Sequence, residues 1–328
     1  LNGRRLIIAD APGHEQYTRN MAVAASRADI ALVLVDATRG IRTQTLRHLT
    51  ICSLMGVTKI AVVVNKLDGV DYSEKVYNEI QEGLKETIQR LEINQIQFVP
   101  VSALAGDNVV YGTKNMPWYQ GPTLLEYIQE WEVQDLGSNS PRLGVQMISR
   151  AENFRGVAGT VLGGSFKVGD EIAVLPSKKV AKIGQISTFD GSLQSASDGQ
   201  AVTLVLEPDV DATRGDVIEL SSQLTSPEDR FSATVVWLGE TDLIHSKSYI
   251  LISGSTQVPA LVTNIRHVLN INNGEQDAAR VLKTNEIGVV EIATDAPIAL
   301  TPYKQNRFKG NFILVDRATM NTVGAGMV

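Results

Sequence analysis

Between residues 4 and 131, short apolar runs rich in Val and Ile alternate with segments of helical period, and no other feature restricts the fold as much. The runs at 6–9, 30–35, 60–64 and 98–101 are nearly continuous, as expected for strands covered on both faces. Helices are expected between them at about 17–27, 43–55 and 73–91. In the third, Val76, Ile80, Leu84, Ile88 and Leu91 recur at helical spacing, and Asp71 with Glu74 forms a possible capping-box start. A fourth helix follows Gly121-Pro122, with Leu124, Leu125, Ile128 and Trp131 on one side. Strand–helix alternation of this kind predicts a doubly wound parallel α/β sheet with right-handed crossovers. Such sheets bind ligands at the C-terminal ends of their strands.

The chain has 328 residues, too many for one ordinary core. Around 133–144 the pattern gives way to a polar linker, and no long helical period follows it. Instead, β-type runs such as 171–175 and 201–206 are separated by turn pairs: Gly163-Gly164, Gly169-Asp170, Asp190-Gly191, Asp198-Gly199 and Gly215-Asp216. A second break at Leu224-Thr225-Ser226-Pro227 precedes another β-rich segment that ends in runs at 311–315 and 322–328. The expected class is α/β plus all-β, a partial doubly wound parallel-sheet domain over 1–135 followed by two β-barrels. The linker is expected at 136–144 and the barrels at 145–223 and 227–328.

Composition removes several classes of function. No apolar run approaches the roughly 20 residues of a membrane span, and no basic, apolar leader is present. Cys52 is the one cysteine, which excludes an intramolecular disulfide and suggests a reducing, cytoplasmic setting. It lies in an apolar helical pattern, where a buried inert thiol is expected rather than a nucleophile. The net charge of −6 and the lack of any Lys/Arg block argue against a nucleic-acid partner. His48, His245 and His267 show no metal-ligand spacing. Gly163-Gly164-Ser165-Phe166-Lys167 resembles a phosphate loop, but no helix follows, so a hairpin is expected. Trp118 and Tyr119 are expected to pack or to form an interface.

Three short motifs fall at the ends of consecutive expected strands. Asp10-Ala11-Pro12-Gly13-His14 closes the first run. Asp10 there suits a metal-bound water, Gly13 allows close approach to a phosphate without a Cβ, and His14 suits orientation of an attacking water. A plain strand-to-helix turn produces the same Asp-x-x-Gly. Asn65-Lys66-Leu67-Asp68 ends the third run. Its aspartate suits the N1 and N2 donors of guanine, its amide the N7, and its lysine stem the purine plane; adenine would leave the carboxylate unpaired. A surface turn is the alternative. Ser102-Ala103-Leu104 ends the fourth run, where such a turn supplies backbone N–H to the guanine O6. Together, in this order and at these strand ends, the three point to a guanine nucleotide site.

The first part of the chain resembles the G domain of the translational GTPases, and the β-rich parts resemble the paired barrels of the elongation factor Tu group. Residues 10–21 read DAPGHEQYTRNM, which is similar to the GTPase (large) subunits of bacterial sulfate adenylyltransferase. Elongation factors usually read DCPGHADYVKNM there. Stretches 65–73, 102–108 (SALAGDN), 116–126 (MPWYQGPTLLE), 154–156, 214–216, 306–307 and 312–327 match the same family, so the resemblance spans essentially the whole chain. It implies a GTP- and Mg²⁺-dependent subunit that couples GTP hydrolysis to formation of adenosine 5′-phosphosulfate and pyrophosphate from ATP and sulfate. A separate small subunit would carry the adenylyl transfer. In that scheme Asp10 holds Mg²⁺ through water, Pro12 and Gly13 lie at the γ-phosphate, and His14 positions the water. Asn65, Lys66 and Asp68 select guanine, and Ser102, Ala103 and Leu104 close over the base. Residues 15–21 are expected to transmit the nucleotide state to the small subunit.

One departure is plain: no Gly-x-x-x-x-Gly-Lys-[Ser/Thr] occurs, and there is no Gly-Lys dipeptide anywhere. The family's phosphate loop is therefore expected before Leu1, on a longer natural chain, and the 328 residues alone are expected to be inactive as a GTPase. The alternatives are an elongation-factor-like GTPase that binds aminoacyl-tRNA, or a non-catalytic scaffold that lacks the loop.

Overall fold

The computed structural model describes residues 5–11, 18–57, 59–93, 95–130, 140–151, 154–270 and 274–328, and the side chains of Thr18, Arg19 and Ala151 lie outside that description. The chain divides into two compact units, one running to residue 133 together with 270–275, the other holding the remainder.

In the first unit, strands β1 (Ile30–Asp36), β2 (Lys59–Asn65) and β3 (Gln95–Pro100) form a parallel sheet in the order β1-β2-β3. Helices α1 (Thr18–Arg27), α2 (Thr43–Leu54), α3 (Glu74–Arg90) and α4 (Leu124–Gln129) alternate with them. The central strand β2 is buried along its length, as a sheet covered on both faces requires. Ala61, Val63, Val99 and Val101 pack against Tyr127 of α4, whose hydroxyl donates to the Ile60 carbonyl at 3.2 Å. The apolar residues Leu124 and Leu125 had marked this helix, but its buried anchor is the tyrosine.

Three expectations fail here for identifiable reasons. Residues 6–9 form no strand, and Ile7 and Ile8 are 85% and 81% exposed. The segment pairs with no described strand, and an apolar run without a ladder partner or a cover has nothing to hold it in a sheet. β1 is buried on one face only, with Leu34 61% exposed on the other, so its continuous apolar pattern overstates its cover. The α3 cap is Ser73, whose hydroxyl accepts from the Val76 N–H, and not Asp71. Asp71 and Tyr72 both take positive φ (51° and 52°), so the chain reaches the helix by a left-handed step that removes Asp71 from the cap position.

The second unit contains two closed barrels. In the first, the strand order is Ala201–Glu207, Phe154–Leu162, Arg142–Ala151, Val217–Leu220, Glu171–Leu175 and Lys179–Thr188. Lys179–Thr188 pairs back onto Ala201–Glu207, and Gly191–Leu193 extends it as a hairpin. The second runs Ser248–Ser253, Asn311–Asp316, Thr322–Met327, Glu228–Trp237, Ile287–Ile298 and Thr256–Leu269, which closes onto Ser248–Ser253. Period-two burial, as in Ala201–Glu207, sends alternate residues into each core. The first barrel strand begins at Arg142, inside the segment expected as linker, because Leu143 belongs to the barrel core.

A buried polar cluster joins the barrels. Glu219, fully buried, accepts from Arg142 Nε at 2.7 Å and from the Thr225 backbone N–H at 2.7 Å. Arg142 also donates to the Ala299 carbonyl at 2.8 Å, and the buried Lys309 donates to the Ser140 carbonyl. Desolvation, with the Arg142 charge nearby, pushes the Lys309 ammonium down to about 8.

Candidate functional site

The parallel register places Asp36 opposite Asn65, and Val64 opposite Pro100, so the three strands end at one level. Each then turns sharply outward. Asp36 leads into Thr38, Asn65 into the single 3₁₀ turn Leu67–Val70, and Pro100 into the Ser102–Asn108 turn. The ladder continues into these loops: the Ala37 N–H donates to the Asn65 carbonyl, the Val101 N–H to the Val64 carbonyl, and the Leu67 N–H to the Val101 carbonyl. Loops tied this closely to a buried sheet are rigid mounts for a recognition site.

Asn65 is the hub. Its Oδ1 accepts from the Lys66 N–H at 2.7 Å and from the Ala103 N–H at 3.0 Å, so one side chain joins the second loop to the third. Lys66 takes positive φ (62°), and its ammonium pairs with Asp36 Oδ2 at 2.7 Å. That hydrogen bond, with a second from Thr38, holds the Asp36 carboxyl down at about 2. Asp36 is a site residue that the sequence reading passed over. Its signal was present, since it ends an apolar run just as Asn65 does.

Asp68 sits in the 3₁₀ turn with Oδ1 buried and without a hydrogen-bond partner among the described residues. A buried carboxylate oxygen with no donor is costly, and a ligand that supplies N–H groups relieves that cost. The next residue is a glycine for a steric reason: a Cβ at Gly69 would lie 2.8 Å from Thr38 Cγ2.

Ser102 is fully buried and serves its own turn, its N–H donating to the Asp107 carbonyl and its Oγ accepting from the Ala105 N–H. What this turn presents outward is the Ala103–Leu104 edge, with the Leu104 side chain 90% exposed. Asn65, Lys66, Asp68, Ala103 and Leu104 thus all lie at or just beyond the C-terminal ends of β2 and β3. Asp10 lies in the exposed segment 5–11, which belongs to no helix or strand, and Pro12, Gly13 and His14 lie outside the described residues.

The Asp68 oxygen, without a donor among the described residues, is compatible with the N–H donors of a guanine base. Asp10 is the expected Mg²⁺ ligand that lies among the described residues, and no group of three His, Cys, Asp or Glu among them could hold a metal. No described helix is long and apolar enough to cross a membrane. Trp118 and Tyr119 pack with Tyr77, ring centroids 5.1 and 6.2 Å away, with their polar ends spent on backbone carbonyls.

The elongation factor Tu GTP binding domain family matches residues 1–134, and the GTP-eEF1A C-terminal domain-like family matches 230–328. Sulfate adenylyltransferase subunit 1 of Alteromonas mediterranea is 44% identical over 327 residues, covering 99% of this chain and 69% of that protein. The bifunctional enzyme CysN/CysC of Rhodopirellula baltica is also 44% identical, and the chain spans 51% of its length. Among solved structures, Sup35 complexed with GMPPNP superposes with a TM-score of 0.55 at 23% identity, covering 93% of this chain and 79% of that one. That likeness concerns the fold.

Proposed function

The chain belongs to the sulfate adenylyltransferase subunit 1 family and carries an elongation factor Tu-type GTP-binding domain, and from that membership we propose that its strand-end loops select guanine. In this reading the protein is the GTPase subunit of sulfate adenylyltransferase. It couples GTP hydrolysis to the formation of adenosine 5′-phosphosulfate and pyrophosphate from ATP and sulfate, in complex with a small subunit that transfers the adenylyl group. The observation that carries the guanine assignment is the buried Asp68 Oδ1, which has no hydrogen-bond partner among the described residues. The N1 and N2 donors of guanine would satisfy it, whereas adenine would leave it unpaired.

Asn65 holds Lys66 and the Ala103 turn around the base, and Asp36 fixes the direction of the Lys66 stem. Ser102 braces the turn from within. Asp10 would hold Mg²⁺ through water, the ion supplying charge neutralisation at the phosphates. By family resemblance, Pro12 and Gly13 approach the γ-phosphate and His14 orients the attacking water. Residues 15–21 carry the nucleotide state to the small subunit. Substitutions of Gln16 and Arg19 test this last role: subunit binding and GTP-stimulated adenosine phosphosulfate formation should both weaken.

Exchange of donor and acceptor at the base tests the site itself. Asp68→Asn in the full-length protein with its partner subunit should abolish stimulation by GTP and confer stimulation by xanthosine triphosphate, whose 2-oxo group accepts from the new amide. The relevant reading is the rate of adenosine phosphosulfate formation with each nucleotide. Unchanged stimulation by GTP would remove the assignment.

A further inference from the structure

The 3₁₀ turn that carries Asp68 continues into a backbone segment in an unfavourable conformation. Asp71 and Tyr72 adopt left-handed φ in succession, after Lys66 has done the same. Non-glycine residues are disfavoured in this region, and they persist only where surrounding contacts over-determine them. Those contacts come from elsewhere in the first unit. The Trp118 indole N–H donates to the Tyr72 carbonyl at 3.1 Å. The Tyr72 hydroxyl donates to Asp107 Oδ2 at 2.7 Å, and the same oxygen accepts from Asn115 Nδ2 at 3.1 Å. Asp107 belongs to the turn that presents Ala103, and its carbonyl accepts from the Ser102 N–H at 3.1 Å.

We infer that Tyr72, Asp107 and Trp118 form a latch that sets the spacing between Asp68 and the Ala103 turn, and so determines how well the site reads the 2-amino group of guanine. The inference rests on the guanine reading of the site. Asn65 bridges the two loops on the strand side, and the latch bridges them on the far side, so each loop is held at two points. A loop held at one point keeps its residues but loses its register with the other. Pairing to Tyr72, with help from Thr113 and Asn115, keeps the Asp107 carboxyl below its usual range and therefore charged, so the hydroxyl bond is charge-assisted. These are positioning residues, since their side chains act here through hydrogen bonds to the loops and to one another.

The readout is the ratio of affinities for GDP and IDP, which differ only in the 2-amino group, measured by equilibrium dialysis on the full-length protein. Wild type should prefer GDP, and Tyr72→Phe should narrow that preference about three- to tenfold, the range expected for the net contribution of one hydrogen bond. Trp118→Phe should shift the ratio in the same direction. A purely structural role would lower binding of both nucleotides together and leave the ratio where it was. A wild-type ratio in both variants overturns the latch. Absence of any GDP preference in wild type overturns the guanine reading instead, so the two failures are distinguishable. If Tyr72→Phe does not fold, Asn115→Ala, which removes an exposed donor to the same oxygen, is read by the same criterion.

Discussion

Asp36 shows how a residue can matter at this site without meeting a ligand. Its carboxylate takes the Lys66 ammonium and two bonds from Thr38, and this fixes a lysine that would otherwise sweep a wide arc. The pair is partly exposed, so its net worth is modest. Asp36→Asn is expected to weaken GTP binding up to about fivefold, corresponding to roughly 1 kcal/mol, as read by titration of the full-length protein. The same substitution tests linkage. The folded-state pKa of about 2 lies below the 3.8 of an aspartate in the open chain, so the pair's stability is present above 3.8 and is lost as pH falls through about 2. Denaturation midpoints between pH 4 and 2 should therefore fall less steeply in Asp36→Asn than in wild type.

At the scale of elements, local chemistry accounts for most of the helix ends. Thr123 accepts from the Glu126 N–H at 3.2 Å while Glu126 Oε2 accepts from the Thr123 N–H at 2.8 Å, a reciprocal capping box on the six-residue helix α4. So short a helix depends on its cap and on Tyr127. Thr123→Ala should lower stability by about 0.5–2 kcal/mol, with an unchanged denaturant slope, in urea unfolding monitored by circular dichroism. Residues 65–68 and 102–104 were legible as candidate site residues because a doubly wound sheet presents its strand ends to ligands. Asp36 and the Tyr72–Asp107 bond were not. Their roles follow from which side chains meet across 30 and 35 residues of chain, and spacing alone does not encode that. The failure at residues 6–9 has a related cause, since an apolar run declares its preference for a sheet but not the presence of a partner.

At the scale of the whole molecule, the second unit depends on charges removed from water. The Arg142–Glu219 pair is buried on both sides, and the Thr225 backbone and hydroxyl complete its hydrogen bonding. Loss of one partner leaves the other buried and uncompensated. Glu219→Ala should therefore cost about 3–5 kcal/mol, measured as the change in urea midpoint, with the larger effect in the second unit's transition. Lys309 adds a pH signature. Its folded pKa of about 8 lies below its value of 10.5 in the open chain, so the unfolded state holds the extra proton between those limits. Stability should rise with pH from about 8 towards 10.5, and Lys309→Met should flatten that rise, as followed by thermal melts across the range.

The sequence by itself determined the type and order of most elements and marked the strand-end residues proposed to select the base. Apolar periodicity, turn residues and short motifs are local properties, and a parallel sheet converts their order along the chain into a shared strand-end position. Only the tertiary structure decided which strand found a partner, which carboxylate holds Lys66, how Arg142, Glu219 and Lys309 came to be buried together, and how Tyr72 reached Asp107. Each of these is a contact between residues distant in the chain, and its energy depends on desolvation and exact complementarity that exist only after the chain has closed around it.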